Sequence, residues 1–323
     1  MVYISLPENS TRQLSFYLAM EEYAARNINE YDCFFQWQVE PSVIFGRNQL
    51  IENEVNIEYC RKNGIKMYRR KSGGGCVYAD MSNIMFSYIT SEESVGFTFN
   101  RYINTVIHLL RKLGVEATTS GRNDILIDGK KVSGNAFYHI PGRNIVHGTM
   151  LYDTDMQNMV GSITPSDEKL MSKGIKSIRQ RINLLKDYIS LDIDEFKEYV
   201  KKNLCDKEIV LTEEDVEKIK EIEKEYLSTE FINGNNPKYT VIKRKRIEHA
   251  GDFELRMDIK NGIIKDIEIL GDFLITGDIN ESIKNRLKNV KLDKECIEKA
   301  LPEQLDDVIM NLNKDEFINI IIN

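Results

Sequence analysis

The chain has 323 residues, 41% hydrophobic and 29% charged, a balance that supports one sizeable core and a smaller second domain. Its net charge of -7 argues against nucleic acid as the main partner, although a basic run, Tyr68-Arg69-Arg70-Lys71, stands inside the acidic whole. Five cysteines (Cys33, Cys60, Cys76, Cys205 and Cys296) are odd in number, scattered and free of any Cys-x-x-Cys pair, which argues against a disulfide framework or a cysteine zinc site. The start lacks a basic segment followed by a long apolar run, and no apolar stretch could span a bilayer, so a cytoplasmic location without membrane attachment is expected.

Asn9-Ser10 can cap a helix whose apolar positions Leu14, Tyr17, Leu18 and Tyr23 fall near helical spacing, with Glu21 and Glu22 between them. Phe35, Trp37 and Val39 alternate as on a half-buried strand, and Ser42 to Phe45 reads as a buried strand ending at Gly46. Asn53 can cap a short helix carrying Val55 and Tyr59 and closed by Asn63-Gly64; the alternation of Ile57 leaves a strand open there. Ile65 to Tyr68, a glycine loop and a strand over Ile84 to Ile89 follow. Phe99, Ile103, Val106, Leu110 and Leu113 form a helical stripe stopped by Gly114. Ile125 to Ile127, Asp128-Gly129 and Val132 onward predict a tight hairpin, and Asn144 to Tyr152 another strand. Strands and helices interleave to about residue 190, which suggests a mixed α/β domain. Thr212 opens a highly charged helix reaching Tyr226. Asn233 to Pro237 is the strongest linker signal, so the chain divides into a large domain over 1–235 and a small α+β domain over 236–323. In the latter Phe253 to Met257 alternates, Asn261-Gly262 turns, and Ile263 to Leu270 returns as a strand before helices.

Three segments carry chemistry. In Arg69-Arg70-Lys71-Ser72-Gly73-Gly74-Gly75-Cys76-Val77-Tyr78 the consecutive glycines allow a sharp turn or close ligand approach, and successive N–H groups beside two arginines can hold an anion; a flexible surface turn would account for the glycines alone. No Gly-Lys-Ser/Thr follows, so this is not a nucleotide P-loop. In Gly121-Arg122-Asn123-Asp124 followed by Lys130 to Ala136, strict alternation puts Lys131 and Ser133 on one face and Val132 on the other. Lys131 would then be a partner for a carboxylate or phosphate, or a solvated hairpin lysine. His147-Gly148-Thr149 reads equally as a core strand with a satisfied histidine.

Taken in order, Arg-Arg-x-Ser-Gly-Gly-Gly, Gly-Arg-Asn-Asp, Lys-Val-Ser-Gly-x-Ala and His-Gly-Thr resemble the signature of the lipoate–protein ligase A family. Ser42 to Gln49 and Lys173 to Arg179 resemble flanking pieces, so the likeness spans roughly residues 12–185; Gly271-Asp272-Phe273 resembles the family's small C-terminal domain less sharply.

The resemblance implies an α+β fold: a large mixed-sheet catalytic domain of the biotin/lipoate ligase type with a small α+β accessory domain. It implies activation of lipoate with ATP and Mg²⁺ to lipoyl-AMP, then transfer to a lysine of an acceptor. The implied acceptors are lipoyl domains of 2-oxoacid dehydrogenase acyltransferase subunits or the glycine-cleavage H protein, served by a monomer. Residue by residue, it makes Lys131 the catalytic lysine between the lipoate carboxylate and the α-phosphate. Arg70, Gly75, Cys76, Val77, Tyr78, Asn83, Asn123 and Asp124 would contact the nucleotide, Asp124 also on the metal side. Ser72, Gly73, Gly74, His147 and Gly148 would line the lipoyl passage, expected to be apolar.

Two departures bear on this. Lys71 stands where threonine is common, adding a charge beside the loop, and Cys76 stands where alanine is common. An octanoyl- or lipoyl-transferase on the same fold would need no ATP and would need a reactive thiol or its equivalent; a noncatalytic lipoyl-binding protein would need neither. A biotin ligase is disfavoured by the wording of the glycine motif.

Overall fold

The computed structural model describes the chain except for residues 9, 29–31, 50, 92–93, 164–178, 234–240, 261 and 323. The linker centre and most of the segment from Lys173 to Arg179 therefore lie outside the described residues.

The strands before residue 100 are Val2–Ser5 (β1), Cys33–Trp37 (β2), Ser42–Phe45 (β3), Lys66–Arg69 (β4), Val77–Ala79 (β5) and Ile84–Thr90 (β6). Ala117–Thr119 (β7), Asp124–Ile127 (β8), Lys130–Ile140 (β9), Arg143–Met150 (β10) and Lys207–Val210 (β11) follow. Eight of them form one sheet in the order β11-β1-β2-β6-β10-β9-β8-β7, mixed because β1 is parallel to both its neighbours while the other pairs are antiparallel. A second sheet, β4-β3-β5, stands beside it. Along β2 and β6 nearly every residue is buried, because helices cover both faces of the large sheet.

On one face lie Leu14–Asn27 (α1) and the helix Glu213–Leu227, meeting Phe35, Trp37 and Ile145. The other face is covered by the helix Val95–Lys112 and the helix Ile193–Leu204, through Phe99, Val106, Phe196 and Val200 against Phe34, Phe86 and Val146. The small domain pairs Val241–Ile247 (β12), Gly251–Lys260 (β13) and Ile263–Gly271 (β14) in an antiparallel sheet with its own core, in which Phe253 stacks on Phe273 at 4.8 Å.

Several local expectations hold. Asp128 and Gly129 take positive φ values of 50° and 73° in the β8–β9 hairpin, Gly114 ends its helix at φ 82°, and Thr212 caps its helix through a reciprocal bond with Asp215. Two caps are corrected. α1 starts after Gln13 with no side-chain cap, well beyond Asn9-Ser10. The Asn53 helix is instead two short helices, Ile51–Glu54 and Ile57–Lys62, the second capped by Asn56, whose side chain accepts from the Tyr59 N–H. The strands β1, β11 and β12 and the helix Ile193–Leu204 were not expected.

Candidate active site

The β8–β9 hairpin brings Lys131 to the cavity by breaking the alternation expected of it. Ile125 pairs with Ser133 but Leu126 pairs with Lys131, so Val132 is bulged out and Lys131 and Ser133 fall on opposite faces. Val132 and Ser133 are buried, whereas Lys131 joins the face of Gly134 and Ala136. Lys130, opposite Ile127, points the other way. The lysine backbone is held by Arg181 and Asn183: its N–H donates to the Arg181 carbonyl and its carbonyl accepts from the Asn183 N–H, both at 2.8 Å. Its side chain crosses directly over Gly134, where an added Cβ would lie 2.6 Å from Nζ. The ammonium ends 2.8 Å from Asp124 Oδ1, both groups partly exposed. A carboxylate so placed keeps the ammonium aimed while leaving it open to exchange for an arriving anion.

The glycine loop forms the facing wall. Gly74, at φ 90°, occupies a conformation that favours glycine. Gly73 is pressed by the small domain, since a Cβ there would lie 2.4 Å from the Phe273 carbonyl oxygen. The Gly74 N–H donates to that same oxygen at 2.9 Å, and the Asn48 carbonyl accepts from the Gly271 N–H at 2.9 Å. Part of what the sequence suggested as an anion cradle is thus a docking contact between domains. Arg122 joins it, donating to the Asp272 carbonyl at 2.8 Å.

Nor are the two loop arginines a free phosphate fork. Arg69 donates to the carbonyls of Gly46, Arg47, Gln49 and Ile232. Arg70 donates to Ser72 Oγ and to the carbonyls of Ile44, Gly73 and Gly75. Burial lowers its pKa to about 10, which leaves it a cation at neutral pH. Lys71 turns away from the cavity, pairing with Glu22 at 2.8 Å and Glu225 at 2.7 Å, so its charge is neutralised behind the loop.

Between these walls Leu18, Trp37, Ile44, Val77, Met85 and Ala136 give the cavity an apolar lining, and Arg70, Asn123, Lys131 and His147 supply the polar end. Gly74, Gly75, Cys76 and Gly148 also reach it. Gly148 matters because a Cβ there would strike Asn135 Oδ1 at 1.9 Å. Five of the expected residues do not line it. Ser72 lies buried beneath the loop and Gly73 under Phe273. Tyr78 turns its ring into a separate core with Val43 and Phe45, because alternation along β5 gives the cavity to Val77. Asn83 is buried in the β5–β6 turn, donating to Asp80 and Thr154, and Asp124 stands behind Lys131.

Cys76 meets a buried setting that pushes its thiol well up, opposed by the Arg70 charge and reinforced by Glu54. The other four cysteines do not line the cavity. Sequence reasoning missed Leu18, Trp37, Met85 and Glu21. For Glu21 a signal existed: positions 14, 18 and 21 follow helical spacing, so a carboxylate sits on the apolar stripe itself.

Residues 13–205 match the lipoyl protein ligase A/B catalytic domain, and residues 236–321 match the bacterial lipoate protein ligase C-terminus. Lipoate-protein ligase LplJ of Bacillus subtilis is 36% identical over 317 residues, covering 94% of this chain and 95% of that protein. A structure of P. falciparum LipL1 in complex with lipoate aligns with a TM-score of 0.75 at 22% identity, over 100% of this chain and 99% of that one. A lipoate-protein ligase A bound with ATP aligns with a TM-score of 0.62 at 25% identity, over 72% of this chain and 98% of that one. The chain belongs to the lipoate–protein ligase family. It is an ATP-dependent ligase, and its substrate class is lipoate joined to protein.

Proposed function

We propose that this enzyme activates lipoate with MgATP to lipoyl-AMP in the cavity between Lys131 and the glycine loop, and passes the acyl group to a lysine of a lipoyl domain. One observation supports this most: a lysine ammonium, held by a single carboxylate across a glycine, in a cavity whose lining is largely apolar. The apolar end suits the eight-carbon chain and dithiolane. At the polar end the lipoate carboxylate and ATP both arrive as anions, and Lys131 lies between them as the cation that makes their approach favourable. It acts by charge and position, leaving Asp124 for the incoming oxygens as the carboxylate attacks phosphorus and pyrophosphate leaves.

Magnesium would arrive on the ATP phosphates. Among the described residues no set of three His, Cys, Asp or Glu side chains could hold a metal ion alone. A cation that keeps most of its water would take one carboxylate, Asp124, beside the nucleotide. Arg70 and residues Gly75 to Val77 would meet the adenylate mainly through the loop they shape. Gly148 and His147 would border the acyl chain. Acceptor choice between acyltransferase lipoyl domains and the H protein rests on the family likeness.

The raised Cys76 thiol speaks against a thioester-forming transferase. Among the described residues no helix is long and apolar enough to cross a membrane. Incubation with lipoate, MgATP and a lipoyl domain should release pyrophosphate and add one lipoyl mass to the acceptor; transfer that proceeds without ATP would refute the assignment.

A further inference from the structure

A chain of hydrogen bonds links Trp37 in the cavity wall to the glycine loop, and two of its members, Ser87 and Glu21, do not line the cavity. Trp37 Nε1 donates to Ser87 Oγ at 2.9 Å, and Ser87 Oγ donates to Glu21 Oε1 at 2.6 Å. Glu21, fully buried on α1, faces His147 Nδ1 at 2.9 and 3.0 Å. His147 Nε2 lies 2.7 Å from Ser72 Oγ, which accepts from Arg70 Nε at 2.9 Å.

The directions of these bonds follow from what each group can do. A carboxylate only accepts, so Nδ1 carries the imidazole proton and Nε2 is left as an acceptor. Ser72 then donates its hydroxyl proton to Nε2 and keeps a lone pair for Arg70. Glu21 also accepts from the Tyr138 hydroxyl at 3.5 Å, so its oxygens are met by donors from three residues. The other tautomer would place an unprotonated Nδ1 against a carboxylate and two N–H donors against one serine oxygen.

Serine, histidine and carboxylate stand in the order of a hydrolytic triad, yet Ser72 is fully buried and does not line the cavity. It cannot meet an acyl carbon, and its oxygen already receives a proton from a cation. Its output is mechanical: it fixes Arg70, whose remaining donors grip the Gly73 and Gly75 carbonyls and so set the loop. The neighbouring pair repeats the plan in simpler form, Glu22 holding Lys71 at 2.8 Å.

We propose that Glu21 is a positioning residue for adenylate formation, acting through the tautomer of His147 and through Ser72 to hold Arg70 and the glycine loop in register with Lys131. This rests on the ligase assignment for its kinetic consequence, but its physical claim can be read without any substrate. The chain has four histidines, so ¹⁵N-resolved ring spectra of the whole protein are simple to assign. His147 should be the Nδ1–H form, against the preference of free imidazole, and Glu21→Leu should return it toward Nε2–H.

In single turnover, Glu21→Leu and Ser72→Ala should each slow lipoyl-AMP formation by about 10- to 100-fold, the range typical when the partner that orients a functional group is removed. The double variant should be no worse than the worse single one, because both break one chain. Ser72→Ala leaves Glu21 and His147 in place, and with the wild-type spectrum it carries the test if Glu21→Leu does not fold. An Nε2–H tautomer in the wild type, a wild-type rate in a folded Glu21→Leu or Ser72→Ala, or fully multiplicative effects would overturn the proposal. Failure of the wild type to make any adenylate would overturn the ligase assignment instead, leaving the tautomer result to decide the role of Glu21.

Discussion

The hairpin carrying Lys131 and the glycine loop opposite it build the same cavity by opposite means. On the hairpin the backbone beside the bulge at Val132 is pinned by Arg181 and Asn183, and the working group is a half-exposed side chain with one ionic partner. In the loop the backbone is irregular and does the shaping, while its own side chains point inward as braces: Arg70 to four loop and strand oxygens, Ser72 to His147, Lys71 to Glu22. A mobile charge is thus presented by a rigid strand, and a rigid backbone surface is maintained by buried charges. Substitutions on the first wall should damage chemistry and spare stability; those on the second should act through geometry.

The largest effect is expected at Lys131. Lys131→Ala should fold normally and lose adenylate formation by about two to four orders of magnitude, the range for removal of a preorganised electrostatic group. Lys130→Ala, on the opposite face, should cost far less. Equal losses in rapid-quench measurements would break the distinction between the two faces of the strand.

Next comes Gly134→Ala. Its methyl group would lie 2.6 Å from Lys131 Nζ and 2.7 Å from Cε, so the flexible end of the lysine must move aside while the strand stays put. Displacement of that order should cost about 100-fold in rate with an unchanged melting temperature. A drop in melting temperature with a normal rate would show instead that the strand had yielded.

Cys76 sharpens the comparison from the loop side. Since its thiol is pushed up by burial and alanine fits the same wall, Cys76→Ala should stay within a few-fold of wild type. A loss of several orders of magnitude, or a trapped acyl-thioester on the native enzyme, would move the chemistry from the hairpin to the loop.

The smallest effect concerns the domain contact behind the loop. Burial, then the carboxylates of Asp272, Asp252 and Glu254, raises Glu54 to about 7. A carboxyl raised in the folded state opposes folding increasingly as pH climbs from its ordinary value of 4.5 through about 7, and imposes nothing below that window. Glu54→Gln should therefore raise the melting temperature near pH 8 and leave it unchanged near pH 4.5. The same shift at both values would assign the effect to packing.

The two walls also differ in how far the sequence discloses them. The hairpin was legible because its cause is local: Asp128-Gly129 sets the turn, and the apolar run beside it marks the strand. Only the bulge at Val132 escaped, and with it the face of Ser133, because a one-residue slip leaves no trace in composition. The loop was legible as a motif but not as a device. Its braces come from α1, β10 and the small domain, at positions 21, 147 and 273, and no local pattern joins such distant residues. Hence Ser72, assigned to the lipoyl passage, and Tyr78, assigned to the nucleotide, turned out to face away from the cavity. The strands β1 and β11, four residues each, also escaped.

The intermediate itself separates adenylate formation from direct acyl transfer. The protein should be mixed with lipoate, Mg²⁺ and ATP labelled in the α-phosphate, with no acceptor present, then quenched and resolved into small molecules and intact protein. The expected result is labelled lipoyl-AMP, pyrophosphate in equal amount, and a protein of unchanged mass, with Lys131→Ala yielding almost none. An acylated protein, or lipoyl transfer to a later-added acceptor without any adenylate, would contradict it.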